Sequence, residues 1–178
     1  MRKLVVVPVL AVALVASFGA PSVAAPPTER TVPDRVEPHK AYDVVSVLLK
    51  AAPSAGAKAR VVVQHARRVE IGDGVDLWVD TDDDRVPDLF ITGVSFSEYA
   101  VYRARDWDRH HQDISDRGCA TMRMLGSKTV FRFDPSCLAP SERFSVSVRS
   151  FVQGRPAATD DYVPGPQRLT RKVLSYAD

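Results

Sequence analysis

A chain of 178 residues, 45% hydrophobic and 26% charged, suits one domain with a real core. Its 24 basic and 22 acidic residues include Arg2 and Lys3 of an N-terminal leader; without these two the balance is 22 to 22. That neutrality gives no reason to expect nucleic acid, which wants a basic stripe. No segment after the leader is long and apolar enough to span a membrane as a helix.

The leader reads MRKLVVVPVLAVALVASFGAPSVA. Arg2 and Lys3 make a basic start, and residues 4–18 form an apolar run of about 15 residues, within the range of a signal peptide and short of a spanning helix. Ser22 and Ala24 place small residues at −3 and −1 of a peptidase site, so residues 1–24 are expected to be a signal peptide and the protein to be secreted. No Cys follows the apolar run, which excludes a lipoprotein anchor.

Residues 25–40 carry Pro26, Pro27, Pro33 and Pro38 among charges and read as an extended linker. A single domain is expected over 41–178. Its segments are β-branched or alternating: YDVVSVLLK, ARVVVQHARRVEI, DLWVD, DLFIT, EYAVYRAR, GCATMRML, KTVFRFD, RFSVSVRSF and RKVLSY. Eight or nine short strands with turn residues between them predict an all-β, antiparallel, jelly-roll-like sandwich. Val44, Val62, Leu77, Val79, Leu89, Ile91, Val101, Phe131, Phe144, Val146 and Val148 are the expected core. RDWDRHHQDIS is the one stretch that could make a helical turn or two. Pro164, Gly165 and Pro166 place the late segment at the surface, because proline cannot serve a central ladder. Cys119 and Cys137, two thiols in an exported chain, are expected to form one disulfide.

Two patches carry candidate chemistry. From Asp80 the acids fall at Asp80, Asp82, Asp84 and Asp88, with Asp83 interposed. Alternating carboxylates in a tight loop supply several oxygens to a hard cation, and the Val86 carbonyl could add another. If the loop holds an ion, calcium is the one it suits. The pattern resembles the D-x-D-x-D-G loops of secreted bacterial proteins more than an EF-hand, which needs Glu at its twelfth position, here Ile91. Arg85 stands where those loops carry Gly. The alternative is a solvated hairpin tip facing water, its charges relieved by solvent or by Arg85, which could pair with Asp83 or Asp84 and take the ion's place.

The second patch, EYAVYRARDWDRHHQD, sets Tyr102 and Trp107 beside Arg105 and Asp106. An open Trp–Tyr surface with neighbouring Arg and Asp stacks on a sugar face; the alternative is Trp107 capping the core. His110 and His111 diverge as neighbours, and a zinc site would need a further ligand from elsewhere. There is no G-x-S-x-G elbow and no Cys outside the expected bridge.

The strand succession, the acid hairpin, the cysteine-bearing GCA…TVFRFDPSCL pair and the late DDYVPGP resemble exported actinobacterial proteins of unknown function. Their architecture is similar to DOMON-like and family-nine carbohydrate-binding sandwiches over about residues 41–172. The resemblance implies a sandwich that binds sugars or haem. For haem, DOMON-type cytochromes use one Met and one His, and Met122, Met124, His65, His110 and His111 are the candidates here. Two functions follow. One is a monomeric, non-catalytic binding module for an extracellular polysaccharide or cell-envelope component, stabilised by calcium. The other is a small secreted hydrolase with a carboxylate-lined cleft.

Overall fold

Residues 26–178 are described in the computed structural model, except the His110 side chain; the leader expected over 1–24 lies outside them. In chain order the strands begin with β1 (Glu29–Pro33), β2 (Val44–Lys50), β3 (Ala59–His65), β4 (Asp73–Asp80), β5 (Leu89–Val94) and β6 (Tyr99–Arg105). They continue with β7 (Asp108–Asp113), β8 (Ala120–Leu125), β9 (Lys128–Phe133), β10 (Arg143–Val152), β11 (Asp161–Val163) and β12 (Val173–Leu174). Helix is confined to single 3-10 turns at Ser115–Arg117 and Ala157–Thr159. No helix among the described residues is long and apolar enough to cross a membrane.

The fold is an antiparallel β-sandwich. One sheet runs β1-β2-β3-β9-β8; the other runs β11-β10-β4-β5-β6-β7, with β12 beside β10. Period-two alternation points one set of side chains from each sheet inward. Val47 and Leu49 of β2, Val61 and Val63 of β3, and Phe131 and Phe133 of β9 meet Val75, Leu77 and Val79 of β4, Leu89 and Ile91 of β5, and Phe144, Val146 and Val148 of β10. Phe133 and Phe144 make an edge-to-face contact across the core, with ring centroids 5.1 Å apart. A hydrogen bond to a side chain also joins the sheets: Val44 N–H donates to the Asp161 carboxylate Oδ2 at 2.7 Å. Cys119 and Cys137 are joined as expected, across 18 residues that include β8 and β9.

Three expectations are corrected. The stretch read as a linker contains β1, which pairs residue for residue with β2 from Glu29↔Lys50 to Pro33↔Ser46. Proline is admissible there because β1 is an edge strand. Val62 is not in the core: β3 buries Ala59, Val61, Val63 and His65, leaving Val62 half-buried on the opposite face. Three consecutive valines carry no alternation, so only the tertiary pairing sets the phase. Finally, RDWDRHHQDIS is not helical but forms most of the β6–β7 hairpin.

The candidate haem ligands lie on three strands: His65 on β3, His110 and His111 on β7, and Met122 and Met124 on β8. His65 lies flat against Tyr42, rings 3.8 Å apart, with Nε2 3.1 Å from Thr129 Oγ1. Burial, and then the Arg67 charge, push its imidazole down to about 3, so it is neutral. Met122 is buried against Gly93, and His111 is exposed on β7. The side chain of His110 is outside the described residues.

Candidate functional site

The outward face of the seven-stranded sheet is covered where an open sandwich would meet water. Every residue of β4 is buried, including the outward Asp76, Trp78 and Asp80. On β10 the outward Ser145 and Ser147 are buried as well. Two elements provide the cover. The β6–β7 turn folds Trp107 back toward Trp78, ring centroids 5.8 Å apart at 56°. Residues 164–172 run past β10, fixed beside its edge by Thr170 N–H to the Val146 carbonyl at 2.8 Å and by Val146 N–H to Thr170 Oγ1 at 3.1 Å, while Pro166 and Gln167 line the space next to Trp78 and Ser147.

A groove remains between them. Its inner part, a cavity of about 440 Å³, is lined by Trp78, Trp107, Arg109, Ser147, Arg149 and Tyr162 among others. Its outer part, about 700 Å³, continues past Ser145 toward Arg85 and the crossover. Trp107 and Gln167 line both parts.

Arg149 is held rigidly in the inner part. Its Nε and Nη2 donate to Asp160 Oδ2 at 2.9 and 2.7 Å, and its Nη1 donates to Asp76 Oδ2 at 3.1 Å. The guanidinium lies 4.7 Å over the Phe151 ring. That ring occupies the space above Gly74, where a Cβ would come within 2.3 Å of it. Asp76 Oδ1 accepts from Thr92 Oγ1 at 2.6 Å, and Arg109 approaches Oδ2 at 3.8 Å. Burial raises the Asp76 carboxyl above its ordinary value, and the Thr92 hydroxyl and the two arginines oppose that rise.

Two polar atoms in this groove are unsatisfied. Trp78 Nε1 and Ser147 Oγ are buried and have no hydrogen-bond partner among the described residues. The residues are 6% and 1% exposed, so bulk water does not replace the missing partners. Leaving a buried donor unmade costs about 1–3 kcal/mol.

The sugar-contact residues expected from sequence divide into two pairs. Trp107 is half-buried, resting on Trp78 while still lining the groove. Tyr102 lies on the same face, stacked at 6.2 Å against Phe90. Arg105 and Asp106 are exposed at the turn, and neither lines the groove.

At one end of β4 the aspartate loop brings Asp80, Asp82 and Asp88 together, one carboxylate oxygen from each within 4.8 Å of the others. This cluster could hold a metal ion. Asp88 is placed by its Oδ2, which accepts from both the Thr81 N–H and Oγ1 at 2.8 Å. Asp80 is placed by Ser145 Oγ–H at 3.1 Å. Burial first raises both carboxyls, and the neighbouring aspartates add to the rise. Asp84 stands outside the triad and accepts instead from Val86 N–H at 2.6 Å. Asp83 is matched by Lys172 and by Arg143 at 3.7 Å. Arg85 makes no ion pair with either aspartate among the described residues, so it does not take an ion's place. It adopts φ 69°, and Asp83 φ 76°, in the left-handed region.

No protein family, curated protein or solved structure matches this chain.

Sequence reasoning missed Trp78, Ser147, Arg149 and Asp160. One signal was available: DLWVD sets an indole between two aspartates on the polar face of a strand. An aromatic in that phase calls for a second layer outside the sheet.

Proposed function

We propose that the chain is a secreted, non-catalytic binding module whose groove takes an extracellular saccharide polymer, with calcium bracing the β4–β5 loop. The observation that carries this reading is Trp107: half-buried on Trp78, it leaves indole surface beside two buried atoms without partners. Indole faces stack on the apolar side of a sugar ring, and Trp78 Nε1–H and Ser147 Oγ–H, shut off from water in the free protein, bond its oxygens once the ligand displaces the side chains over them. The rigid Arg149 fork between Asp76 and Asp160 sets the floor without a conformational rearrangement.

A hydrolase needs a carboxyl group free to exchange a proton with substrate. Asp76 is engaged on both oxygens, and Asp160 Oδ2 takes two bonds from Arg149, which favours binding over catalysis. For the loop, calcium suits all-oxygen donors, and two oxygens on one such ion span up to about 5 Å. Pull-down on insoluble cell-envelope and plant polysaccharides tests the reading. The protein should be retained, and Trp107→Ala should abolish retention without unfolding. Absence of retention on every polymer rejects it.

A further inference from the structure

The outer part of the groove has a charge that the inner part lacks. Arg30, Arg85, Arg168, Arg171 and Lys172 line it, with no acidic residue among its walls. Lys172 is already matched by Asp83, but Arg30, Arg85, Arg168 and Arg171 make no ion pair among the described residues. Arg85, Arg168 and Arg171 are exposed, and Arg30 Nε is buried without a hydrogen-bond partner. The inner part differs: its arginines are compensated by Asp76 and Asp160. The chain as a whole is nearly neutral, so this concentration of unmatched cations in one cavity is a local feature.

We infer that the groove binds a polyanionic saccharide polymer, with a sugar ring on Trp107 in the inner part and the carboxylates or phosphodiesters of the following units along Arg30, Arg85, Arg168 and Arg171. The inference rests on the saccharide-binding reading above and narrows it. The donors are consistent throughout. Trp78 Nε1–H, Ser147 Oγ–H and the four guanidinium groups all donate, and arginine forks match carboxylate and phosphate oxygens in two-point contacts. Trp107 and Gln167 line both parts and so stand at the boundary that one bound chain would pass. Single-stranded nucleic acid also combines stacking with charge, but it needs successive aromatic platforms along the cationic track. The outer part offers one aromatic, Trp107, at its inner end.

The test is calorimetric titration of the full chain, folded and checked by melting temperature, with four polymers. These are a polygalacturonate oligomer, a glycerol-phosphate polymer, a neutral β-glucan oligomer and oligo-deoxythymidylate of matched charge. Binding to the polyuronate or the glycerol-phosphate chain is expected, and the two arms tell a carboxylate source from a phosphate source. Affinity should fall about tenfold or more between about 50 and about 500 mM salt. The double variant Arg168→Ala/Arg171→Ala, both exposed, should keep the wild-type melting temperature and weaken polyanion binding about tenfold. Neutral β-glucan bound in preference to both polyanions overturns the inference and leaves the saccharide reading standing. No binding to any saccharide overturns both. Oligo-deoxythymidylate bound as tightly as the saccharide polyanions also overturns the inference.

Discussion

Replacing Asp82 with alanine should erase stabilisation by calcium while leaving the metal-free fold almost unchanged. Asp82 contributes one of the three clustered oxygens yet is itself exposed. Its one hydrogen bond from the backbone is a long one, 3.3 Å from Asp84 N–H. By contrast Asp80 and Asp88 organise the loop ends, so their removal would mix ion loss with fold damage. A calcium ion that binds only the folded state stabilises by RT ln(1 + [L]/Kd), about 2.7 kcal/mol at a hundredfold excess over Kd. For a domain of this size that corresponds to a rise in Tm of about 5–11 °C. Asp82→Ala should lose that entire increment. Without calcium it should match the wild type within about 0.5 kcal/mol, as exposed substitutions do. Thermal melts of both proteins in calcium, magnesium and chelator read this directly. Magnesium should serve poorly, because it keeps its waters and demands a tighter octahedron. A wild-type melt indifferent to calcium and chelator refutes the ion site, and a full calcium response in Asp82→Ala refutes the assignment of its ligands.

Three further outcomes are expected. In chelator, stability should rise as pH falls into the window just above 3.8. There Asp80 and Asp88, whose carboxyls are raised in the fold, bind more protons folded than unfolded, and denaturant melts between about pH 4 and 7 would show the sign. With calcium the slope should reverse, since protonation removes ligands. Arg85→Gly should raise the metal-free Tm modestly by relieving a left-handed non-glycine residue worth about 1 kcal/mol, and it should leave the calcium response intact. Removing the Cys119–Cys137 bridge by the double change to alanine should cost about 3 kcal/mol on the loop-entropy account, measured by denaturant titration.

Much of the sandwich interior was legible because alternation survives in the residues themselves. In RFSVSVRSF, Phe144, Val146 and Val148 can share only one face, and they do. The same holds for Leu77 with Val79 and for Leu89 with Ile91. Where alternation fails, so does the reading: the valines at 61–63 are equally apolar, and only pairing with β2 and β9 turns Val62 outward. β1 was hidden by Pro33, which an edge strand tolerates, and by the prolines on either side of it.

The site was harder, for a physical reason. Ser145, Ser147 and Arg149 look like a solvated face in sequence, and would be one if residues 164–172, held at Val146, did not enclose the space beside them. That contact spans some twenty residues and depends on tertiary packing, not on local pattern. The aspartate loop is the reverse case. Its carboxylates are close in sequence, so their spacing was readable, while the orientation that separates Asp84 from Asp80, Asp82 and Asp88 was not.

The central claim is that the groove beside Trp78 and Trp107 is a ligand site. The chain contains two tryptophans, so a proton–nitrogen correlation spectrum of the labelled protein shows two indole signals, assigned with Trp107→Phe. Titration with the saccharide polymer retained in pull-down should move both. The Trp78 Nε1–H signal should shift downfield as its buried hydrogen gains an acceptor. A polymer that binds while both indole signals stay in place would contradict the account.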